Sequence, residues 1–117
     1  MEYRVLGKTG LRVSALGFGC GNVGGLMVRG TPADRQRAVA RAIELGINYF
    51  DTAPSYGDGQ SERHLGQALK ALNAEVWVGT KFRLHPQDMR NIRGAIAGSL
   101  DDGVDLLACL GPLGLEA

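Results

Sequence analysis

Strand-like and helix-like segments alternate along this chain, and a new strand-like segment begins about every 30 residues, the length of a βα unit. Two short segments joined by a glycine-bearing loop come first, and the order β, α, β, α, β, α, β follows. This alternation favours a parallel sheet with right-handed helical crossovers. Four such units make half of a (β/α)8 barrel, which takes about 250 residues when complete. We therefore predict an α/β fold, a partial (β/α)8 TIM barrel of about four βα units preceded by an N-terminal β-hairpin, in a single domain over residues 1–117.

Turn and cap residues set the predicted boundaries. Residues 7–10 (GKTG) are typical of a hairpin loop. Thr31 before Pro32 is typical of a helix start, and Gly46 of a left-handed helix end. Ser61 is predicted to cap the next helix. Strands are predicted at residues 3–6, 11–13, 15–19, 47–51, 76–81 and 104–110, a loop at 20–30, and helices from 31, from 61 and over 88–100.

Composition limits the class of protein. Hydrophobic residues make up 44% and charged residues 21%, which is typical of a soluble globular protein and argues against disorder. The formal net charge of +1 gives no electrostatic case for nucleic acid or an anionic membrane. No apolar run approaches the roughly 18 residues of a membrane span. Cys20 and Cys109 form no metal-ligand spacing, and we expect a cytoplasmic protein without a metal.

Three polar residues are predicted to meet at one rim of the sheet. Asp51 and Lys81 end consecutive strands, and the carboxyl ends of parallel strands are where ligands bind. Tyr56 follows Asp51 by five residues, on the loop above that rim. A lysine ammonium stabilises tyrosinate, and a carboxylate would hold the ammonium charged and oriented, so the trio suits proton donation to a developing alkoxide. Spacing alone favours a structural ion pair beside a turn tyrosine over a catalytic trio.

Residues 19–24 (GCGNVG) match the G-x-G-x-x-G pattern of dinucleotide-binding loops. The match is weak, because residues 26–30 intervene before the Thr31 cap, where a helix should open at once. The acid at the next strand end, Asp51, also lies about 30 residues on instead of about 20. We reject a Rossmann fold. A loop of this kind is either a plain flexible connection or a place where a flat ligand approaches the backbone.

Four further side chains are weak candidates. His64 is expected on a solvent-facing helix surface and His85 in a rim loop, where a role is less expected than a plain polar position. Trp77 lies in mid-strand and is expected to pack in the core or in the barrel, and Cys109, in the last apolar strand, is expected to be a small core residue.

The ordered motifs of the chain resemble the N-terminal part of aldo-keto reductases, most closely the bacterial branch of sugar and small-carbonyl reductases. The matching motifs are residues 3–14 (YRVLGKTGLRVS), 16–19 (LGFG), 46–57 (GINYFDTAPSYG), 61–66 (SERHLG) and 79–81 (GTK). The resemblance covers about residues 3–100. It implies that the chain is the N-terminal half of an aldo-keto-reductase-like barrel.

The resemblance also implies an activity and its residues. The family transfers hydride between NADPH and a carbonyl or alcohol without a Rossmann fold, and NADH is not excluded here. The resemblance implies that Tyr56 is the general acid/base, assisted by Asp51 and Lys81. It also implies that Gly19, Cys20 and Asp51 lie beside the nicotinamide. The substrate would be a small carbonyl compound or a sugar.

The chain departs from the family pattern after about Leu100. The fourth strand of the family ends in a histidine. The matching position here is Leu110, or Gly111 with one insertion, and neither is histidine. The second half of the barrel is not in the sequence. Three expectations follow: a truncated reductase, a half-barrel that self-associates through exposed sheet edges, or a non-catalytic binding module.

Overall fold

The computed structural model describes residues 1–81, and residues 1–5 and 11–81 form one compact unit. The predicted helix over 88–100 and strand over 104–110 lie outside the described residues, as do His85, Cys109, Leu110 and Gly111. The elements in chain order are β1 (Tyr3–Val5), β2 (Arg12–Ser14), β3 (Phe18–Gly19), α1 (Leu26–Arg29), α2 (Pro32–Glu44), β4 (Tyr49–Asp51), α3 (Gln60–Ala71) and β5 (Trp77–Gly79).

The unit contains a parallel sheet of β3, β4 and β5, with β4 in the centre of the three described strands. Phe18, Phe50 and Val78 lie side by side across it. Helices α2 and α3 connect the strands, as a parallel order requires. The predicted α/β class is confirmed, although each strand is shorter than its predicted segment.

Strands β1 and β2 pair antiparallel, in the two segments predicted to do so. Ser14, at the end of β2, is joined to Asn48 just before β4. The Ser14 N–H donates to Asn48 Oδ1 at 2.7 Å, and the Asn48 N–H donates to Ser14 Oγ at 3.1 Å. This reciprocal pair fixes β2 against the start of β4. In the loop over residues 6–10, Thr9 N–H and Oγ1 both donate to the Leu6 carbonyl.

Helix α2 begins and ends as the sequence predicts. The Thr31 side chain accepts a hydrogen bond from the Asp34 N–H at 3.1 Å, and Pro32 occupies the first helical position. Gly46 follows the helix with φ of 90°, a conformation that costs glycine little. The Tyr3 hydroxyl donates to the Gly46 carbonyl at 2.8 Å, which ties β1 to the end of α2.

Two local predictions are wrong. Residues 20–30 are not all loop, because Leu26–Arg29 form the short helix α1 after Gly25 takes a left-handed conformation. Ser61 does not cap α3: Gly59 does, without a side-chain hydrogen bond, and Ser61 lies in the first turn. The reason is that Gly57, Asp58 and Gly59 all have positive φ, so the chain turns into the helix two residues earlier than predicted.

The core lies between the sheet and helices α2 and α3. Phe50 is fully buried on β4, and Val39 of α2 and Leu65 of α3 are in the same cluster. Trp77, predicted to pack in the core or in the barrel, is 43% exposed. Trp77 pairs with Tyr49, one residue before Phe50. Because side chains alternate along a strand, Trp77 faces away from the helices that bury Phe50.

Among residues 1–81, no helix has the length and apolar character needed to cross a bilayer.

Candidate active site

Asp51 ends the central strand β4, between two glycines. Gly19 of β3 and Gly79 of β5 are its register partners on either side. A Cβ built at Gly19 would meet no atom within 4 Å, so the backbone there borders open space. The Asp51 carboxylate is therefore approachable from the side of β3.

Lys81 follows β5 by two residues and reaches back over β4. Its Nζ donates to both carboxylate oxygens of Asp51 at 3.1 Å and to the Thr52 carbonyl at 3.0 Å. The side chain of Lys81 is 30% exposed and that of Asp51 is 45% exposed. Three fixed acceptors hold one ammonium group at the rim, as the strand-end positions predict.

The environment keeps Lys81 protonated. Desolvation by partial burial lowers the pKa of Lys81, but the hydrogen bond to Asp51 and its charge, together with Tyr56, outweigh desolvation and raise the pKa above its ordinary value. A lysine held in this way is a cation at neutral pH.

Tyr56 completes the group. Its ring centroid lies 5.2 Å from Lys81 Nζ, within the range of a cation–π contact. The Tyr56 N–H donates to the Ala53 carbonyl at 3.1 Å, which closes the turn after β4. The structure thus brings the three predicted residues together: the ammonium of Lys81 lies between a carboxylate and a phenol ring.

Cys20, predicted beside the cofactor, is buried at 1% exposure. Its N–H donates to the Asp51 carbonyl at 2.9 Å, and its own carbonyl accepts from Ser61 Oγ at 2.8 Å. Burial, and to a smaller extent the Asp51 charge, raises the pKa of Cys20 to about 11. The thiol is therefore neutral and shielded from solvent. Cys20 contributes to the site through its backbone hydrogen bonds.

Two buried hydroxyls below the rim were not singled out from the sequence. Ser61 Oγ lies 2.8 Å from Thr52 Oγ1 and donates to the Cys20 carbonyl, so Thr52 is the donor in the hydroxyl pair. This chain of bonds joins the ends of β3 and β4 to the first turn of α3. In the sequence, Thr52 directly follows Asp51, and Ser61 begins the matched motif over residues 61–66.

His64 was expected to face solvent, and that expectation is wrong. It is half-buried, and its Nδ1 lies 2.6 Å from the Met27 carbonyl of α1. Because a carbonyl only accepts, Nδ1 carries the proton in this contact. His64 joins α3 to α1, a helix that the sequence did not predict.

Tyr49 lies on the same face of β4 as Asp51, one pleat below it. A Cβ at Gly79 would overlap the Tyr49 hydroxyl and lie 3.0 Å from Tyr49 Cζ. A Cβ at Gly17 would lie 3.2 Å from Tyr49 Cδ1. The Tyr49 ring therefore fills the space that the two glycines leave.

Within residues 1–81, no group of three or more His, Cys, Asp or Glu side chains is placed to hold a metal ion. The candidate chemistry of the described site rests on one carboxylate, one ammonium and one phenol.

Residues 15–108 match the model of the aldo/keto reductase family, and the chain belongs to that family. The family resemblance predicted from the motifs is thereby confirmed.

Several curated proteins resemble the chain. It is 39% identical over 120 residues to L-galactose dehydrogenase of Arabidopsis thaliana, an alignment that covers 93% of this chain and 38% of that protein. It is 41% identical over 80 residues to pyridoxal 4-dehydrogenase of Microbacterium luteolum, covering 68% of this chain and 23% of that protein. The chain therefore spans well under half the length of these curated relatives.

A solved structure shares the fold. The aldo-keto reductase AKR11C1 from Bacillus halodurans, in its holo form, matches with a TM-score of 0.60 and 32% sequence identity over 86% of this chain and 36% of that one. The α/β fold of the chain is thus similar to that of an aldo-keto reductase.

Proposed function

We propose that this chain carries the proton-transfer centre of an NADPH-dependent carbonyl reductase, with Tyr56 as general acid/base and Asp51 and Lys81 as its partners. The observation that carries the proposal is the position of the Lys81 ammonium, 3.1 Å from both Asp51 oxygens and 5.2 Å from the Tyr56 ring centroid. Family membership and relatives that are dehydrogenases support the same class of reaction.

The trio divides one task among three side chains. Tyr56 donates its hydroxyl proton to the carbonyl oxygen as negative charge develops there, and takes it back in alcohol oxidation. Lys81 places a positive charge beside the phenol, which stabilises the tyrosinate left after transfer. Asp51 holds that ammonium by two equal hydrogen bonds, so that it is oriented before the reaction begins.

The residues at the rim fit the nicotinamide end of a cofactor. A flat ring needs backbone without side chains, and the open space at Gly19 beside Asp51 supplies it. Cys20 would contribute packing only, because its thiol is buried and its amide and carbonyl groups are bonded within the fold. NADPH, when bound, would supply the hydride, and Tyr56 would hold the proton for the carbonyl oxygen. NADH remains an alternative cofactor.

The proposed substrate is a small carbonyl compound or a sugar. Two relatives carry such substrates in their names, L-galactose in one and pyridoxal in another. In this proposal the chain contributes about four βα units and the preceding hairpin, the N-terminal half of a barrel over residues 1–117.

Oxidation of NADPH by the purified chain with a generic aldehyde tests the proposal. Tyr56→Phe removes the proton donor and is expected to lower kcat by about 10²- to 10⁴-fold, the usual contribution of general acid catalysis. Tyr3→Phe removes a phenol hydroxyl that bonds the Gly46 carbonyl at the end of α2, and is the matched control. Turnover that survives in Tyr56→Phe would remove the assigned role.

A second candidate is a partial barrel that binds or associates without turnover. It is favoured by one observation: Trp77 and Val78, apolar residues of β5, are 43% and 47% exposed. NADPH binding by calorimetry without aldehyde turnover, or a concentration-dependent mass by light scattering, would support this candidate over the first. A cytoplasmic location stays a prediction.

A further inference from the structure

The geometry points to Asn22 as a positioning residue, whose side-chain amide fixes the turn behind Tyr56 and so keeps the phenol ring beside Lys81. Its meaning for catalysis rests on the proposed function of Tyr56. The structural part of the inference stands on contacts among residues 20–30, Tyr56 and Gly57.

The central contact is a long-range hydrogen bond. The Gly57 N–H donates to Asn22 Oδ1 at 3.0 Å, between residues 35 positions apart in the chain. Gly57 directly follows Tyr56, so this bond fixes the peptide unit that leaves the tyrosine. Asn22 lies in the loop after β3, on the opposite side of β4 from Lys81 in the strand order.

The turn behind Tyr56 is held by backbone groups and by this one side chain. The Tyr56 N–H donates to the Ala53 carbonyl, and the Tyr56 carbonyl accepts from the Ser61 N–H at 3.2 Å. Among these contacts, the Asn22 amide is the one that a substitution can remove while the backbone bonds remain. Gly57 has φ of 59° and begins a left-handed run, a conformation that costs glycine little.

The same loop also touches the Tyr56 ring and Gly57 directly. A Cβ built at Gly21 would lie 3.8 Å from Tyr56 Cζ, so the Gly21 backbone lies alongside the phenol. A Cβ built at Gly57 would come within 2.5 Å of Val28 Cγ1, so Gly57 is packed against α1. Asn22 therefore acts within an interface that confines the tyrosine on one side.

The segment that carries Asn22 is itself anchored. Arg29 Nη2 donates to the Asn22 carbonyl at 3.2 Å, which ties the residue to the end of α1. Met27 of α1 is buried at 1% exposure, and its carbonyl contacts His64 of α3. Because these contacts anchor α1, the Asn22 side chain has a fixed position. It does not move with the turn to which it is hydrogen-bonded.

Hydrogen exchange of the Gly57 amide, followed by NMR on the full chain, measures the bond. In Asn22→Ala the Gly57 amide is expected to exchange about tenfold faster, because one hydrogen bond is lost. Asn22→Asp keeps an acceptor oxygen in the same place and is expected to restore protection. Val23→Ala changes the fully exposed neighbour and is the matched control.

The resonances of the Lys81 ε-methylene group measure the consequence for the site. They lie near the Tyr56 ring and carry its ring-current shift, since the ammonium is 5.2 Å from the centroid. In Asn22→Ala we expect this shift to move towards that of an exposed lysine, and in Asn22→Asp and Val23→Ala to stay. Rescue by Asn22→Asp separates loss of this hydrogen bond from a general loosening of the loop, which the aspartate would not repair.

Two results would overturn the inference. One is a Gly57 amide that is unprotected in the unmodified chain, a measurement that needs no variant to fold. The other is an unchanged Lys81 shift in an Asn22→Ala variant whose Gly57 amide has lost protection. Neither measurement uses substrate, cofactor or turnover, so failure of the proposed carbonyl reduction leaves both intact, and failure of this inference leaves Tyr56 as the proposed acid.

Discussion

Asp51 and Lys81 form an ion pair whose value is positional more than energetic. Both side chains are about a third or more exposed, and ion pairs in such surroundings contribute about 0–1 kcal/mol to stability. Three acceptors on one ammonium nevertheless define where it lies relative to the Tyr56 ring. The pair therefore fits a site that needs a positioned charge and gains little stability from it.

Asp51→Asn is expected to lower the free energy of unfolding by about 1 kcal/mol or less at neutral pH. Because the folded-state pKa of Lys81 is raised, the pair stabilises fully below the ordinary lysine pKa of about 10.4 and loses its effect as pH rises through the raised value. Urea unfolding near neutral pH and at a pH above the raised pKa of Lys81 measures it, in a Cys20→Ala background so that no thiol at that position titrates there. An equal loss at both pH values would contradict the prediction.

The buried thiol of Cys20 makes a separate prediction about alkaline pH. An unfolded thiol ionises near pH 8.5, whereas burial raises the folded pKa to about 11. The stabilisation is therefore complete below about pH 8.5 and is lost as pH rises to about 11, at up to about 1.4 kcal/mol per pH unit.

Denaturant unfolding of a Cys109→Ser variant across this range tests the Cys20 prediction, because that variant has a single thiol. Adding Cys20→Ala is expected to remove this part of the pH dependence. A slope that is the same with and without Cys20 would show that the thiol is not the group responsible.

At the scale of elements, the start of α3 depends on a left-handed turn. Gly57, Asp58 and Gly59 have φ of 59°, 52° and 83°, and only the middle residue carries a Cβ. Aspartate tolerates this region better than most residues, and its charge near a helix N-terminus is favourable. The turn that follows Tyr56 thus contains one strained position between two glycines.

Substitution at Asp58 measures that strain. Asp58→Gly removes the left-handed penalty, and Asp58→Ala keeps it without the aspartate's local hydrogen-bonding ability, so the glycine variant is expected to be more stable than the alanine variant by about 1 kcal/mol. Thermal unfolding of both variants gives the difference. If alanine were the more stable of the two, position 58 would not be left-handed in the folded protein.

The buried hydroxyl of Ser61 links a helix to two strands. It is 0% exposed and joins α3 to β3 and β4 through the Cys20 carbonyl and the Thr52 hydroxyl. Ser61→Ala leaves both partners without this bond in a buried place, and is expected to lower the free energy of unfolding by about 1–3 kcal/mol. Ser55→Ala, at an exposed position, is the control and is expected to change little. Equal effects of the two would contradict the role of Ser61.

The sequence predicts the elements whose signals are local and misses those decided by tertiary contacts. Thr31 and Gly46 mark the ends of α2 because capping and left-handed glycine are local chemistry. Asp51 and Lys81 were brought together from strand ends alone. Helix α1 and the buried state of Ser61 were missed, since four residues give no period and a serine before a helix normally caps it. Asn22 carries no sequence signal, because its partner is 35 residues away.

At the scale of the molecule, the described sheet has three parallel strands, and the family barrel that it resembles has eight. The chain covers 36% of the holo reductase whose fold it shares. Within the described residues, Trp77 and Val78 of β5 are 43% and 47% exposed. Exposed apolar side chains on a strand favour association. They support the proposal that two half-barrels pair.

The single tryptophan of the chain reports on this association. If two chains meet through β5, the emission of Trp77 is expected to shift to shorter wavelength as concentration rises, together with a mass by light scattering above that of one 12.4 kDa chain. Trp77→Phe keeps an aromatic ring but removes the only tryptophan, so in this control the mass alone is measured. Emission and mass that do not depend on concentration would contradict association through this strand.

The packing of Tyr49 against Gly17 and Gly79 links three positions that are far apart in the sequence. A methyl group at Gly79 would require the Tyr49 ring to move, and one at Gly17 would require it to shift by a few tenths of an ångström. A smaller residue at position 49 would leave the space beneath Asp51 unfilled. The residues accepted at these three positions therefore depend on one another. Selection of functional variants from a library randomised at all three positions should return correlated, not independent, substitutions.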